Sequence, residues 1–297
     1  MQPPRLEHLP PPQKTGWPWT DVPPPLAPTM PDGTPWPRIT VVTPSFNQAG
    51  FLEETLRSVL LQGYPNLEYI VMDGGSTDGS VEIIERYAPW LSFWQSQPDG
   101  GQSAAIRAGF ARATGSVLAW LNSDDRYQPH ALARVGRFFA RHPRVVFATS
   151  DVNHIDAAGG VIKRGYVAGP AFVITANIGL HNMVQPGCFW RRETYERVGG
   201  LDPSLRFCMD RDLFLRLLQA GPARRMPGPP TADFRHHPEA KSSTIRHVAA
   251  EEGETLIARY GSWYLRPLRR PLAHLWELMK WPAKTRSWLH RRWGVEL

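Results

Sequence analysis

The sequence predicts an α/β protein with a mostly parallel central sheet. Two observations carry that expectation: short β-branched or apolar runs alternate with segments of roughly ten residues bearing a helical stripe, and glycine- or acid-rich turns follow the runs. Strands separated by helices of that length pair in parallel through right-handed crossovers, and ligands in such folds sit beyond the carboxyl ends of the strands.

The elements are read in chain order. Residues 1–37 hold 13 of the 30 prolines, in runs such as Pro10-Pro11-Pro12 and Pro23-Pro24-Pro25. Proline favours polyproline II and cannot donate to a sheet, so this segment is expected to be an extended arm. Residues 39–43 form a β-branched run ended by Pro44, and Phe51, Leu52, Leu56, Val59 and Leu60 follow at helical spacing before Gly63. A second strand is expected at 68–72, a turn at 73–79, and a helix whose stripe is Val81, Ile84, Tyr87 and Ala88. A third helix at 103–112 leads into an apolar strand at 116–121, and a helix at 131–140 precedes a strand at 144–149. The second half is less regular: 195–200 and 213–218 read as helical, 156–160 as a hairpin turn and 224–230 as a loop. Beyond Gly261, Leu268, Leu272, Leu275, Trp276 and Met279 fall on one helical face among arginines and lysines. The expected organisation is an arm (1–37), a nucleotide-sugar-binding half (38–150), an acceptor-binding and catalytic half (151–260) and a basic amphipathic tail (261–297).

The formal net charge is +7, but residues 261–297 carry eight Arg and Lys against two Glu, so six of those net charges belong to the tail. A basic tail on a nearly neutral body argues against a nucleic-acid groove across the fold, and no nucleic-acid partner is expected. The two cysteines, Cys188 and Cys208, make no disulfide framework. With no secretory signal recognised, a cytoplasmic setting is expected, with peripheral placement on the inner face of the membrane open. The tail has two readings: an amphipathic Trp- and Arg-rich helix lying on an anionic membrane, or a helix packed on the body.

Three stretches carry possible chemistry. Asn122-Ser123-Asp124-Asp125 closes an apolar strand with adjacent carboxylates, a costly pairing that a divalent cation bridging a diphosphate would relieve; the bland alternative is a solvated turn opening a helix. The glycine-rich turn after Asp73 offers exposed amides and a carboxylate to a base or ribose, or is a plain strand-to-helix turn. Asp210, entering the apolar helical segment that follows Phe207-Cys208-Met209, is placed to be a general base or merely to favour a helix N-terminus.

Taken together, the chain resembles the family 2 glycosyltransferases over roughly 38–252. The resemblance rests on five motifs in the family's order: Thr43-Pro44-Ser45-Phe46-Asn47-Gln48; the turn at 73–80; Gly100-Gly101-Gln102 leading to Ala113-Thr114-Gly115; 121–125; and Gly199-Gly200-Leu201-Asp202 followed by Met209-Asp210. It implies a GT-A-type, Rossmann-like sandwich and inverting transfer of a sugar from a nucleotide diphosphate, a UDP-sugar being the expected donor, to a glycan or lipid-linked acceptor. It further implies that Pro44, Ser45, Phe46 and Asp73 hold the nucleotide, and that Gln102, Asn122 and Asp124 join them. Asp124 and Asp125, as a DXD-like element with Asn122 in place of its first acid, would hold Mn²⁺ or Mg²⁺, with His237 completing the shell. Asp210 would be the base, although Met209 replaces the acid that usually precedes it. Arg107 departs from the family's Ala-Arg-Asn-x-Gly pattern and is either a diphosphate contact or solvent-facing. Arg235 and Lys241 are weaker candidates for the leaving diphosphate, and Gln185, Pro186 and Trp190 for the acceptor. The rival reading is a non-catalytic nucleotide-sugar-binding module.

Overall fold

The computed structural model describes residues 4–167, 169–170, 172–178, 183–268, 271 and 274. In chain order the strands and helices are β1 (Ile39–Ser45), α1 (Ala49–Leu60), β2 (Leu67–Asp73), α2 (Ser80–Tyr87), β3 (Phe93–Ser96), α3 (Gln102–Phe110), β4 (Val117–Trp120), β5 (Arg126–Tyr127), α4 (Ala131–Arg141), β6 (Phe147–Thr149), β7 (Val152–Ile155) and β8 (Val161–Gly165). They continue as α5 (Phe172–Ile178), β9 (Cys188–Arg191), α6 (Arg192–Arg197), α7 (Met209–Ala220), β10 (Ala223–Arg225), β11 (Ala232–Arg235), α8 (Lys241–Thr244) and α9 (Arg246–Tyr260).

Seven strands form the main sheet in the order β10-β6-β9-β4-β1-β2-β3. All neighbours run parallel except β9, which lies antiparallel between β4 and β6, with Trp190 opposite both Leu118 and Phe147. The mostly parallel sheet expected from the alternation is therefore present. Each central strand is apolar on both faces because helices cover both. Val41, Val71 and Ala119 pack with α1, α2 and α4, whereas their neighbours Val42, Ile70 and Leu118 pack with α3, α6 and α7. Helix α3 approaches β1 so closely that a Cβ on Gly109 would fall 2.6 Å from Val42 Cγ1. A smaller sheet, β5-β11-β7-β8, stands beside the main one. Its β7–β8 hairpin turns through Asp156 and Gly160, as the sequence suggests. The expected loop at 224–230 begins as β10, because residues 223–225 pair in register with 147–149 of β6.

The proline-rich segment lies against the body rather than projecting from it. Trp19 and Trp36 are buried, and Arg57 of α1, itself fully buried, donates to the carbonyls of Pro10, Pro18 and Trp19 and to the Tyr87 hydroxyl. At the other end, the turn Trp263–Leu268 leaves Trp263 78% and Tyr264 62% exposed. Leu272, Leu275, Trp276 and Met279 of the predicted tail helix lie outside the described residues. No described helix is long and apolar enough to cross a membrane.

Candidate active site

A cavity of about 870 Å³ opens at the carboxyl edge of the sheet, beyond β1, β2 and β4. Two loops build its first wall. Asn47 adopts positive φ (51°) after β1, and its side-chain carbonyl accepts from Thr77 N at 2.9 Å while its own amide donates to Ser76 Oγ at 2.8 Å. Asp78 ties the same loops, accepting from Ala49 N and Ser80 N; burial pushes its carboxyl up, but the Ser80 hydroxyl and these two amides more than offset that and hold it below the usual carboxylate range. Pro44, Ser45 and Phe46 line the cavity, with Phe46 60% exposed. Asp73 is set behind this wall. It is 1% exposed, and its carboxylate accepts from Gly75 N, Ser76 N, Ser76 Oγ and Ser96 Oγ at 2.6–3.1 Å, so it shapes the loop whose Gly74 and Gly75 face the cavity. A Cβ on Gly74 would meet both Phe46 Cδ2 and Asp99 Oδ2 at 3.2 Å. A larger residue there would press on both side chains, and Asp99, which no motif marked, forms the other side of the slot.

The turn after β4 separates the two acids. Asp124 lines the cavity, and its Oδ2 lies 3.0 Å from His237 Nε2, while His237 Nδ1 lies 3.0 Å from Glu239 Oε2. The Asp124 hydrogen bond, seconded by Glu239 against the opposing effect of burial, raises the His237 pKa. Asp125 points inward instead: it is 1% exposed and accepts from Arg235 N at 2.9 Å. Burial first, and the Asp124 charge second, push its carboxyl well above the usual range. A carboxylate so placed is a buried acceptor for the main chain of β11, whereas its neighbour Asp124 is the acid that lines the cavity. Arg235 borders the same cavity. Its guanidinium, buried beside Phe51, donates to the carbonyls of Asp124, Asp156 and Ala157 and pairs with Glu54.

The opposite wall comes from α3, α7 and α8. Asp210 stands in the first turn of α7 and faces the cavity. Met209 before it is buried, its Sδ accepting from Ser103 Oγ. Glu252 of α9, which no motif marked, accepts from Arg206 N, Phe207 N and Cys208 N and so clamps the turn that delivers Asp210. Lys241 donates to Gln102 Oε1 at 2.8 Å; burial lowers its pKa, against the attraction of Glu252 and Asp210. Gln102 in turn donates to Asn122, and Gln185 also lines the cavity. Two candidates fall elsewhere. Arg107 is on the outer surface, donating to the Leu201 carbonyl, and Trp190 is wholly buried among Phe110, Trp120, Tyr195 and Phe214.

Among the described residues no group of three or more His, Cys, Asp or Glu side chains is arranged to hold a metal. Asp124 supplies a carboxylate to the cavity wall, and the buried His237, which does not line the cavity, meets that carboxylate through Nε2. Mg²⁺ and Mn²⁺ take one or two protein oxygens plus phosphate oxygens and water, so this donor set fits a metal that arrives with a diphosphate.

The cavity thus lies where α/β folds with a mostly parallel sheet place their ligands, with Asp124, Lys241 and Asp210 on its walls. The chain belongs to glycosyl transferase family 2, whose family model matches residues 40–199. An uncharacterized glycosyltransferase of Nostoc sp. is 33% identical over 183 residues, which is 56% of this chain and 54% of that protein. An O-antigen biosynthesis protein of Myxococcus xanthus is 30% identical over 191 residues, 62% of this chain and 15% of that protein. The chain thus matches about half the length of the first relative and a small part of the second. A mannosyltransferase of Pyrobaculum calidifontis, solved with GDP-Man and Mn²⁺, shares the fold at TM-score 0.59 and 22% identity, over 84% of this chain and 75% of that one.

Proposed function

We propose that this protein transfers a sugar from a nucleoside diphosphate to an acceptor hydroxyl by a metal-assisted, inverting displacement. The observation that carries the reading is the placing of Asp124, backed by the buried His237, on one wall of the cavity and of Asp210 on the other. Asp124 and His237 would hold the metal, with Glu239 fixing the imidazole through its other nitrogen. Such a metal, when bound, supplies positive charge to the departing diphosphate. Lys241 offers an ammonium to the same group. Asp210 takes the proton of the attacking hydroxyl as the new C–O bond forms at the anomeric carbon, and the electron pair of the old bond leaves with the diphosphate. Inversion is proposed by analogy with the family.

The proposed donor is a UDP-sugar, and the GDP-Man in the Pyrobaculum structure makes a GDP-sugar its competitor. The acceptor reading, a glycan or lipid-linked glycan of the cell envelope, is supported by the O-antigen relative. A peripheral contact with the membrane through the tail is supported by the exposed Trp263, Tyr264 and Leu268 where the basic segment begins. Met209, in place of a second acid, favours one rival, a module that binds the donor without turning it over. Calorimetric titration with UDP, GDP and dTDP, with and without Mn²⁺, tests the donor site. Binding that needs both the metal and Asp124 supports the reading; equal binding by Asp124→Ala would remove it.

A further inference from the structure

Four polar side chains along the cavity have donor and acceptor atoms that can be ordered in only one way. Lys241 Nζ lies 2.8 Å from Gln102 Oε1, and Gln102 Nε2 lies 2.8 Å from Asn122 Oδ1. Asn122 Nδ2 reaches Gln185 Oε1 and Asp125 Oδ2, both at 3.4 Å, and Gln185 Nε2 donates to the Trp120 carbonyl at 2.7 Å. An ammonium only donates and a carbonyl only accepts. Those two ends fix the three carboxamides between them, because flipping any one would set donor against donor or acceptor against acceptor. The far end is anchored in protein, since Gln185 is 8% exposed and Trp120 is fully buried.

We propose that Asn122 is a positioning residue: it orients Gln102, and through it holds the Lys241 ammonium at the cavity wall where the donor's diphosphate binds. The inference rests on the donor reading above. It also gives a physical reason for an amide where the family often has an acid. An aspartate at 122 has no N–H, so it would face Gln185 Oε1 and the buried Asp125 carboxylate with acceptors alone. An acid would still accept from Gln102 Nε2 but would lose the anchor to Gln185 and be pushed away from Asp125, so restoring it displaces the acceptor that orients Gln102 and weakens diphosphate binding through Lys241.

The test titrates the full chain in Mn²⁺ with UDP or GDP, whichever binds, and with the corresponding monophosphate. Lys241→Met is expected to weaken the diphosphate roughly tenfold or more, the scale of one charge-assisted hydrogen bond, and the monophosphate less than about threefold. Asn122→Asp should reproduce most of that loss, and the double variant should be no worse than Lys241→Met, although residues 122 and 241 do not touch. Diphosphate binding by Asn122→Asp as tight as wild type, or losses that add in full, would overturn the proposal. A ligand-free readout separates the two readings: the Gln102 side-chain carboxamide resonance should shift in both variants. If it shifts but no nucleoside diphosphate binds to wild type, the ordered chain stands and the donor reading falls. If it stays put in Lys241→Met, the chain itself is wrong.

Discussion

Replacing Glu252 by alanine should loosen the turn that carries Asp210 and destabilise the whole domain. Its carboxylate takes Arg206 N at 2.6 Å, Phe207 N at 2.9 Å and Cys208 N at 2.7 Å, just ahead of α7, where helix amides have no partners of their own. Hydrogen bonds to a charged group contribute about 1.5–3 kcal/mol each. Here three share one carboxylate, and Arg206 is exposed so that water replaces part of the loss. We therefore expect about 2–4 kcal/mol for Glu252→Ala and, because one carbonyl acceptor survives, about half that for Glu252→Gln. For a chain of this size the alanine change should lower Tm by roughly 3–6 °C. Urea unfolding followed by tryptophan fluorescence measures the stability, and turnover measured well below the new Tm reports on Asp210. Stability within about 0.5 kcal/mol of wild type would show that the clamp contributes nothing.

Asp210→Asn should keep donor binding but reduce turnover on the order of a hundredfold or more, the scale for a general base; turnover near normal would take that role from Asp210. Asp124→Asn should abolish the dependence of nucleotide binding on Mn²⁺, whereas Asp125→Asn, which keeps an acceptor for Arg235 N, should leave it within about threefold, and titration of the pair reads the difference. Glu68 gives a pH signature. Burial pushes its carboxyl up, but the bonds from Thr40 and Thr114 and the charge of Arg38 leave it lowered from 4.5. With the folded value below the unfolded one, the unfolded chain binds the proton more readily, so the contribution is fully present above that unfolded value and is lost as pH falls through the folded value. Stability curves of wild type and Glu68→Gln should accordingly converge in acid, and a constant gap would be contrary to this. Finally, Trp263→Ala/Tyr264→Ala should reduce co-sedimentation with phosphatidylglycerol vesicles at least severalfold, and vesicle association unchanged by both the substitutions and salt would count against the membrane contact.

The first half of the fold was legible because its strands are continuous apolar runs and its helices carry stripes; β1, α1, β2, α2, α3, β4 and α4 all lie where that pattern places them. What escaped was non-local. Strand β9 is four residues whose antiparallel place between β4 and β6 depends on partners far away in sequence, and edge strand β3 ends in Gln95 and Ser96. Helix α9 runs through Ala249-Ala250-Glu251-Glu252-Gly253-Glu254 and shows no apolar stripe, so the clamp that Glu252 makes had no sequence signal beyond its being an acid. In the site, residue type marked Asp124, Asp210 and Lys241, which line the cavity, and His237, which sits buried against Asp124, but direction decided the rest. Adjacent Asp124 and Asp125 point to the cavity and to the interior, and the Arg235 guanidinium turns toward Glu54 and the carbonyls behind the metal-competent acid. A string of letters does not carry that orientation.

The proline-rich segment can be regarded as a ligand that the chain supplies to itself. Arg57 is a full charge with no solvent exposure, and three of the acceptors that make its burial tolerable are main-chain carbonyls of residues 10, 18 and 19. Tethering raises their local concentration far above anything a separate peptide would reach, so the site on α1 is saturated as long as the two remain joined. Cutting the segment away would strip this guanidinium of three of its four acceptors, leaving the Tyr87 hydroxyl, and would uncover the apolar surface that Trp19 and Trp36 now bury. A homologous domain that dispenses with such a segment should therefore carry an uncharged residue at this position of its first helix, and swapping the two features singly, rather than together, should yield an unstable protein.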